Sequence, residues 1–201
     1  KGRNNNLKVN DRFIVNRVLD ECNLYQNTLS VIHSQIVLQY KSTSGNEMNA
    51  KVIEARNSLM SLLELRLDRQ LQRIFSLLGI KYPPDDIDPI LNHIIYGEEE
   101  QRIHAIEFLD NILNAQLKRE LIPVAESFLT QSITEEKIKK LNLKVFSEIE
   151  CFQLLCKRKD IKLKLALLYL IEQTADKKFV PLLEIISKDT NEKIKKVTKK
   201  N

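Results

Sequence analysis

The residue types that most often carry enzyme chemistry are few in this sequence and poorly spaced for it. Its three histidines, His33, His93 and His104, are not three or four positions from one another, and no cysteine lies at metal-ligand spacing from them. A serine or cysteine nucleophile needs a base within reach, and no G-x-S-x-G turn occurs to expose one. We therefore predict a non-enzyme with no catalytic residue and no metal ligand, in which the histidines are structural or solvated.

Cofactor loops and disulfides are not expected either. Only four glycines occur in 201 residues, and they are not clustered as a phosphate-binding loop requires, so no cofactor is predicted. The cysteines Cys22, Cys151 and Cys156 are odd in number and form no C-x-x-C, which argues against a disulfide framework. Cys151 and Cys156 lie in an apolar run, which predicts thiols that face the core.

Charge is unevenly distributed and indicates one candidate binding surface. The net charge is +5 overall, but it is −7 over residues 82–130 and +7 over residues 131–201. We expect the acidic pairs in the middle to be helix caps and solvated turns. In the basic part, five cations within eight positions form the candidate partner surface, with a merely solvated face as the alternative: Lys157, Arg158, Lys159, Lys162 and Lys164. Such a surface suits a partner protein, the acidic middle of another copy, or an anionic membrane leaflet.

The elements that position these residues are predicted to be helices. Four glycines and five prolines are too few for the turns of a sandwich or an α/β enzyme, and no stretch of eighteen apolar residues is present. Helical periodicity predicts one helix, or two end to end, over residues 7–40, a polar linker at 41–46, and a second helix over 48–78 capped by Gly79. Two such helices should form an antiparallel hairpin. Pro83 and Pro84 stop the second helix, and Asp85 or Asp86 is expected to cap the next one.

Past this hairpin the sequence repeats. Residues 87–109 align with 148–170 at an offset of 61, and we predict two short helices per unit, joined by the turns 97–100 and 157–160. Arg102 is expected to hydrogen-bond a neighbouring repeat. The aligned pairs are Leu91 with Phe152, Ile94 with Leu155, Ala105 with Ala166, Ile106 with Leu167, and Leu109 with Leu170. We therefore predict a hairpin domain over 1–80 and repeats over 81–201, with units near 87–125 and 148–181 and a truncated one at 182–201.

Two resemblances refine this prediction. The repeated unit resembles the HEAT repeat, which implies an all-α fold: a long helical hairpin followed by a short HEAT-type, armadillo-like α-α solenoid. Residues 67–87, 102–113 and 121–123 further resemble the soluble HEAT-repeat region of bacterial proteins related to the ATP/ADP translocases, which are nucleotide transporters of a major-facilitator type. In that family a membrane half precedes the repeats, and some relatives carry a cyclic-nucleotide-binding domain after them.

The resemblance implies a function in binding and coupling. We expect a cytoplasmic, non-catalytic domain at the inner membrane that belongs to a longer nucleotide-transporter-like chain, because the sequence begins at Lys1 without methionine and ends within an unfinished repeat. Its partners are then the membrane half, a cyclic-nucleotide-binding domain of the same chain, or other proteins. Two alternatives remain open: a free-standing HEAT adaptor, and a DNA-binding HEAT-like protein. The absence of Trp and the acidic middle argue against nucleic acid as a partner.

Overall fold

The computed structural model describes residues 10–43, 49–129, 135–189, 191 and 194. All regular structure in these residues is helical, which confirms the all-α class, and none of their helices is both long and apolar enough to cross a membrane. The helices are α1 (Asp11–Thr43), α2 (Ala50–Lys81), α3 (Pro84–Tyr96), α4 (Glu99–Ile112), α5 (Ala115–Glu126), α6 (Glu135–Lys140), α7 (Glu148–Cys156), α8 (Ile161–Thr174) and α9 (Val180–Ser187), with a 3-10 turn, Lys177–Phe179, before α9.

The two long helices extend further than the sequence predicts. Residues 41–43 of the predicted linker are the last residues of α1, whereas residues 44–46 lie outside the described part of the chain. The prediction that Gly79 caps α2 is wrong, because the helix continues to Lys81 and Tyr82 N still donates to Leu78 O at 2.8 Å. Pro83 ends the helix instead, since proline disfavours helical backbone in the residue before it.

The predicted cap of α3 is also wrong. The helix begins at Pro84 with Pro83 as the N-cap residue, and no side chain caps it. Proline suits the first helical position because its fixed φ is already helical and its missing amide would have no partner there. Asp85 and Asp86 therefore lie inside the first turn, where their charges favour the positive end of the helix.

The described residues divide into two compact units, the first within Lys1–Asn27 and Asp68–Leu143 and the second within Thr28–Leu67 and Lys144–Asn201. Each long helix therefore contributes one segment to each unit. The sequence instead predicts a division by chain order, with a hairpin domain up to residue 80 and repeats after it. That division stays a prediction.

In the first unit, segments of α1 and α2 run antiparallel beside α3, α4 and α5. Lys81 forms an ion pair with Asp11, and Arg73 Nε lies 3.4 Å from Glu21 Oε2, so residue numbers rise along one helix as they fall along the other. The buried residues of this unit are mostly aliphatic, with the aromatic rings of Tyr25 and Phe75 among them. The fully buried aliphatic members include Val18, Leu71, Ile74, Leu78, Ile87, Ile94, Leu109, Leu117 and Leu121.

In the second unit, apolar side chains of α1 and α2 share one core with α7, α8 and α9. Phe152 and Phe179 are fully buried in it, with ring centroids 4.9 Å apart. The other fully buried members include Val31, Ala55, Leu63, Cys151, Leu155, Leu167, Leu168, Leu170 and Ile194.

Two serines of α1 hold the irregular segment before α7 in the second unit. Ser30 Oγ accepts a hydrogen bond from Lys144 N at 3.2 Å, and Ser34 Oγ accepts one from Phe146 N at 2.8 Å. Ser34 Oγ also donates to Ser30 O at 2.7 Å. Both serines are buried. They replace the partners that a strand or helix would supply to the backbone of residues 144–146.

The offset of 61 relates two series of helices, one in each unit. Helices α3, α4 and α5 correspond in order to α7, α8 and α9 with its preceding 3-10 turn. Ile94 and Leu155, Ile106 and Leu167, and Leu109 and Leu170 are all buried, as the alignment predicts. Leu91 and Ala166 are only half-buried. Residues beyond 189 are described only at 191 and 194, so most of the predicted third unit after α9 lies outside the described residues.

The turn 157–160 lies where the sequence predicts it, whereas the predicted turn 97–100 is shorter, because Glu99 and Glu100 already belong to α4. Gly97 and Glu98 join α3 to α4, and residues 157–160 join α7 to α8. Gly97 N donates to His93 O at 2.9 Å, and a Cβ at Gly97 would lie 2.4 Å from that oxygen. The absence of a side chain therefore allows this close approach.

Candidate functional site

The predicted partner surface spans the turn after α7 and the first turn of α8. Lys157, Lys159 and Lys162 are exposed there. A lysine side chain carries a compact point charge on a flexible stem, so three lysines within six positions favour a diffuse electrostatic contact over bidentate recognition.

Arg158, predicted as part of this surface, is half-buried. Its Nη1 donates to Thr28 Oγ1 at 2.9 Å, which joins the turn to α1 within the second unit. Burial lowers the pKa of Arg158 and the charge of Asp160 opposes that effect. The Arg158 guanidinium therefore has a structural role within the second unit.

Lys164 is likewise engaged within the second unit. It forms an ion pair with Asp189, and the side chains are only 13% and 17% exposed. Two of the five predicted residues are thus held by partners of the same chain, which leaves three lysines as the exposed part of the cluster.

Asp160 connects the turn to α8 and to α2, a role that was not predicted from the sequence. Its Oδ1 accepts hydrogen bonds from Lys162 N at 3.1 Å and Leu163 N at 3.2 Å, which caps α8. Arg66 Nη2 also donates to Oδ1 at 2.9 Å, and Arg66 Nε contacts Oδ2. An aspartate directly before an apolar helix was the available signal for the cap. The Arg66 contact joins residues 94 positions apart and had no local signal.

An acidic face on α4 forms the counterpart in the first unit. Glu99, Glu100 and Glu107 are exposed, and Ile103 and Phe108 beside them are 40% and 42% exposed. The face combines negative charge with apolar surface, a composition suited to a basic partner surface with apolar side chains of its own.

Arg102 does not neutralise this acidic face. It is the only Lys or Arg between residues 82 and 117 of the sequence. Its Nη1 donates to Phe128 O at 3.0 Å and its Nη2 to Ile95 O at 3.5 Å. Arg102 therefore joins α4 to the end of α3 and to the segment after α5. Its role is structural, as expected, but both hydrogen bonds lie within the first unit and not with a neighbouring repeat.

The three cysteines are free and buried. Burial raises the pKa of Cys22 to about 12, with the charges of Glu120 and Glu21 adding to the effect. Burial also raises the pKa of Cys156 to about 11, against the influence of Lys164, and raises that of Cys151. These thiols are protonated at neutral pH, and the prediction that Cys151 and Cys156 face the core is confirmed.

The three histidines differ in how far they are exposed. His93 and His104 are exposed and His33 is half-buried. Among the described residues, no group of three or more His, Cys, Asp or Glu side chains is placed to hold a metal ion.

Comparison with known proteins adds no relative. The chain matches no family model, no curated protein and no solved structure. The all-α class therefore rests on the helices described above, and the HEAT and transporter relationships stay predictions.

Proposed function

We propose that this chain is a non-catalytic, HEAT-type helical-repeat binding domain. The observation that supports the proposal best is the pair of related helix series, one in each unit, whose second helices α4 and α8 present exposed charged and apolar residues. Repeated helix pairs commonly expose such faces to partners, while their buried faces stabilise the fold.

The partner context of this proposal comes from the sequence resemblance. Residues 67–87, 102–113 and 121–123 resemble the soluble region of ATP/ADP translocase-related proteins. We propose accordingly that the domain belongs to a longer nucleotide-transporter-like chain, lies at the cytoplasmic face of the inner membrane, and couples the membrane half to a regulatory domain or another protein.

Cell fractionation tests this context. An antibody raised against residues 1–201 is used to probe membrane and soluble fractions of cells that produce the native protein, after the membranes are washed with high salt. We expect a membrane band well above 23.4 kDa, the mass of this chain. A salt-resistant band of that kind supports the transporter context. A soluble band near the mass of the chain contradicts it and favours a free-standing adaptor.

A further inference from the structure

Helices α4 and α8 present exposed aromatic residues at equivalent positions. The offset of 61 places Phe108 on Tyr169, and their exposed fractions are 42% and 40%. Each helix has a second exposed apolar side chain at its beginning, Ile103 on α4 and Ile161 on α8, both 40% exposed.

The charges around these apolar residues are opposite on the two helices. The α4 face consists of Glu99, Glu100, Ile103, Glu107 and Phe108, and all five are exposed. His104 shares the exposed side of α4 with these residues. The charge of the face stays negative because Arg102 donates to main-chain carbonyls of the first unit and Lys118 of α5 pairs with Asp110.

The α8 face is correspondingly basic. It consists of Lys157, Lys159, Ile161, Lys162 and Tyr169, all exposed. The neighbouring carboxylate of Asp160 is held by Arg66 and by backbone amides, so it does not cancel the three lysines.

One exposed acid, Glu172, lies on α8 beyond Tyr169. The offset of 61 places it at the position of the uncharged Asn111 on α4. If α4 and α8 dock in parallel, with their N-terminal ends adjacent, Glu172 therefore lies at the opposite end of the contact from Glu99 and Glu100.

We propose that the α4 face of one molecule docks on the α8 face of a second copy of this chain. The acidic first turn of α4 meets the basic turn before α8, and Phe108 and Ile103 pack near Tyr169 and Ile161. A second copy is the occupant that the observations favour, because the chain itself carries both halves of a matched pair, equivalent in the repeat and opposite in charge. The contact is heterologous, so it can close in a dimer or continue head to tail.

Sedimentation velocity of the purified chain across a concentration series tests the proposal. We expect association at low ionic strength that weakens at least tenfold in dissociation constant at 0.5 M salt, because the attraction between exposed charges is screened there. A monomer at all concentrations in low salt would overturn the proposal.

A charge exchange with mixing tests the surfaces themselves. We expect the variants E100K/E107K and K159E/K162E each to lose association at least tenfold, because each then presents two faces of like charge. Mixed one to one, they should associate again, since both contacts become complementary. Association that survives either exchange, or that mixing fails to restore while each variant retains the wild-type circular dichroism, would contradict the docking proposal.

The variant E54K/E64K is the matched control. It makes the same change in charge on two exposed glutamates of α2 that belong to neither the α4 face nor the α8 face. We expect it to associate like the wild type. Loss of association in this control as well would show that net charge alone governs assembly, and would overturn the assignment to α4 and α8. The inference goes beyond the proposed function, and the fractionation result does not depend on it.

Discussion

At the scale of single residues, Asp160 combines two roles that substitution can separate. Its Oδ1 caps α8 through the amides of Lys162 and Leu163, while the carboxylate pairs with Arg66. The Arg66 and Asp160 side chains are only 15% and 22% exposed, so loss of the charge leaves a largely buried guanidinium without its counterion.

We expect Asp160→Asn to lower the free energy of unfolding by about 2 kcal/mol, because asparagine keeps a capping oxygen but loses the charge that Arg66 requires. Asp160→Ala should cost about 1 kcal/mol more, since the cap is lost as well. Urea unfolding followed by circular dichroism measures both changes. Lys159→Ala, an exposed change on the same turn, should stay within about 0.5 kcal/mol of wild type. Equal stability of Asp160→Asn and wild type would rule out a stabilising role for the ion pair.

At the scale of elements, buried serines replace a backbone partner for the segment before α7. We expect Ser34→Ala to destabilise the chain by about 1–3 kcal/mol, because Phe146 N would lose its hydrogen-bond acceptor. Ser76→Ala is the matched control: Ser76 Oγ donates to Gln72 O at 2.8 Å, as Ser34 Oγ does to Ser30 O, but Ser76 is exposed. Hydrogen exchange should show faster exchange of the Phe146 amide only in Ser34→Ala. Unchanged protection of that amide would contradict the role given to Ser34.

Local sequence patterns predicted most of the helices, but not the contacts between residues far apart in the sequence. Apolar periodicity and proline positions predicted the two long helices and the pairs α3–α4 and α7–α8. A helix that buries one face has apolar residues at regular spacing along the sequence, so local pattern is enough to detect it. The end of α2 was missed because Gly79 permits a cap without requiring one, and the chain continues as helix up to Pro83. The contacts of Ser34, Arg66 and Arg158 join distant residues, so no local spacing revealed them.

The same limit applies to the candidate surface. The sequence places five cations close together along the chain, but the structure separates them by exposure. Asp189 and Thr28, the partners of Lys164 and Arg158, are far from the cluster in sequence. Among the described residues, Lys157, Lys159 and Lys162 are the members of the cluster that stay exposed.

At the scale of the whole molecule, the long helices connect the cores of the two units. Helix α1 continues without interruption from Asn27 to Thr28, and α2 from Leu67 to Asp68, where the chain passes between units. Each helix has fully buried residues in both units, such as Val18 and Val31 on α1. Loss of one core would leave a helix segment of fewer than twenty residues without its packing, and such segments are marginal in water.

We therefore expect the two units to unfold together, and the three buried thiols report on this directly. Cys22 belongs to the first unit and Cys151 and Cys156 to the second. Brief pulses of N-ethylmaleimide across a urea series, followed by peptide mass spectrometry, should label all three over the same range of urea, because burial protects each thiol until its core opens. The native and fully unfolded chains define zero and complete labelling. Labelling of Cys22 at urea concentrations where Cys151 and Cys156 stay protected, or the reverse, would mean that the long helices do not couple the units and that each core unfolds on its own.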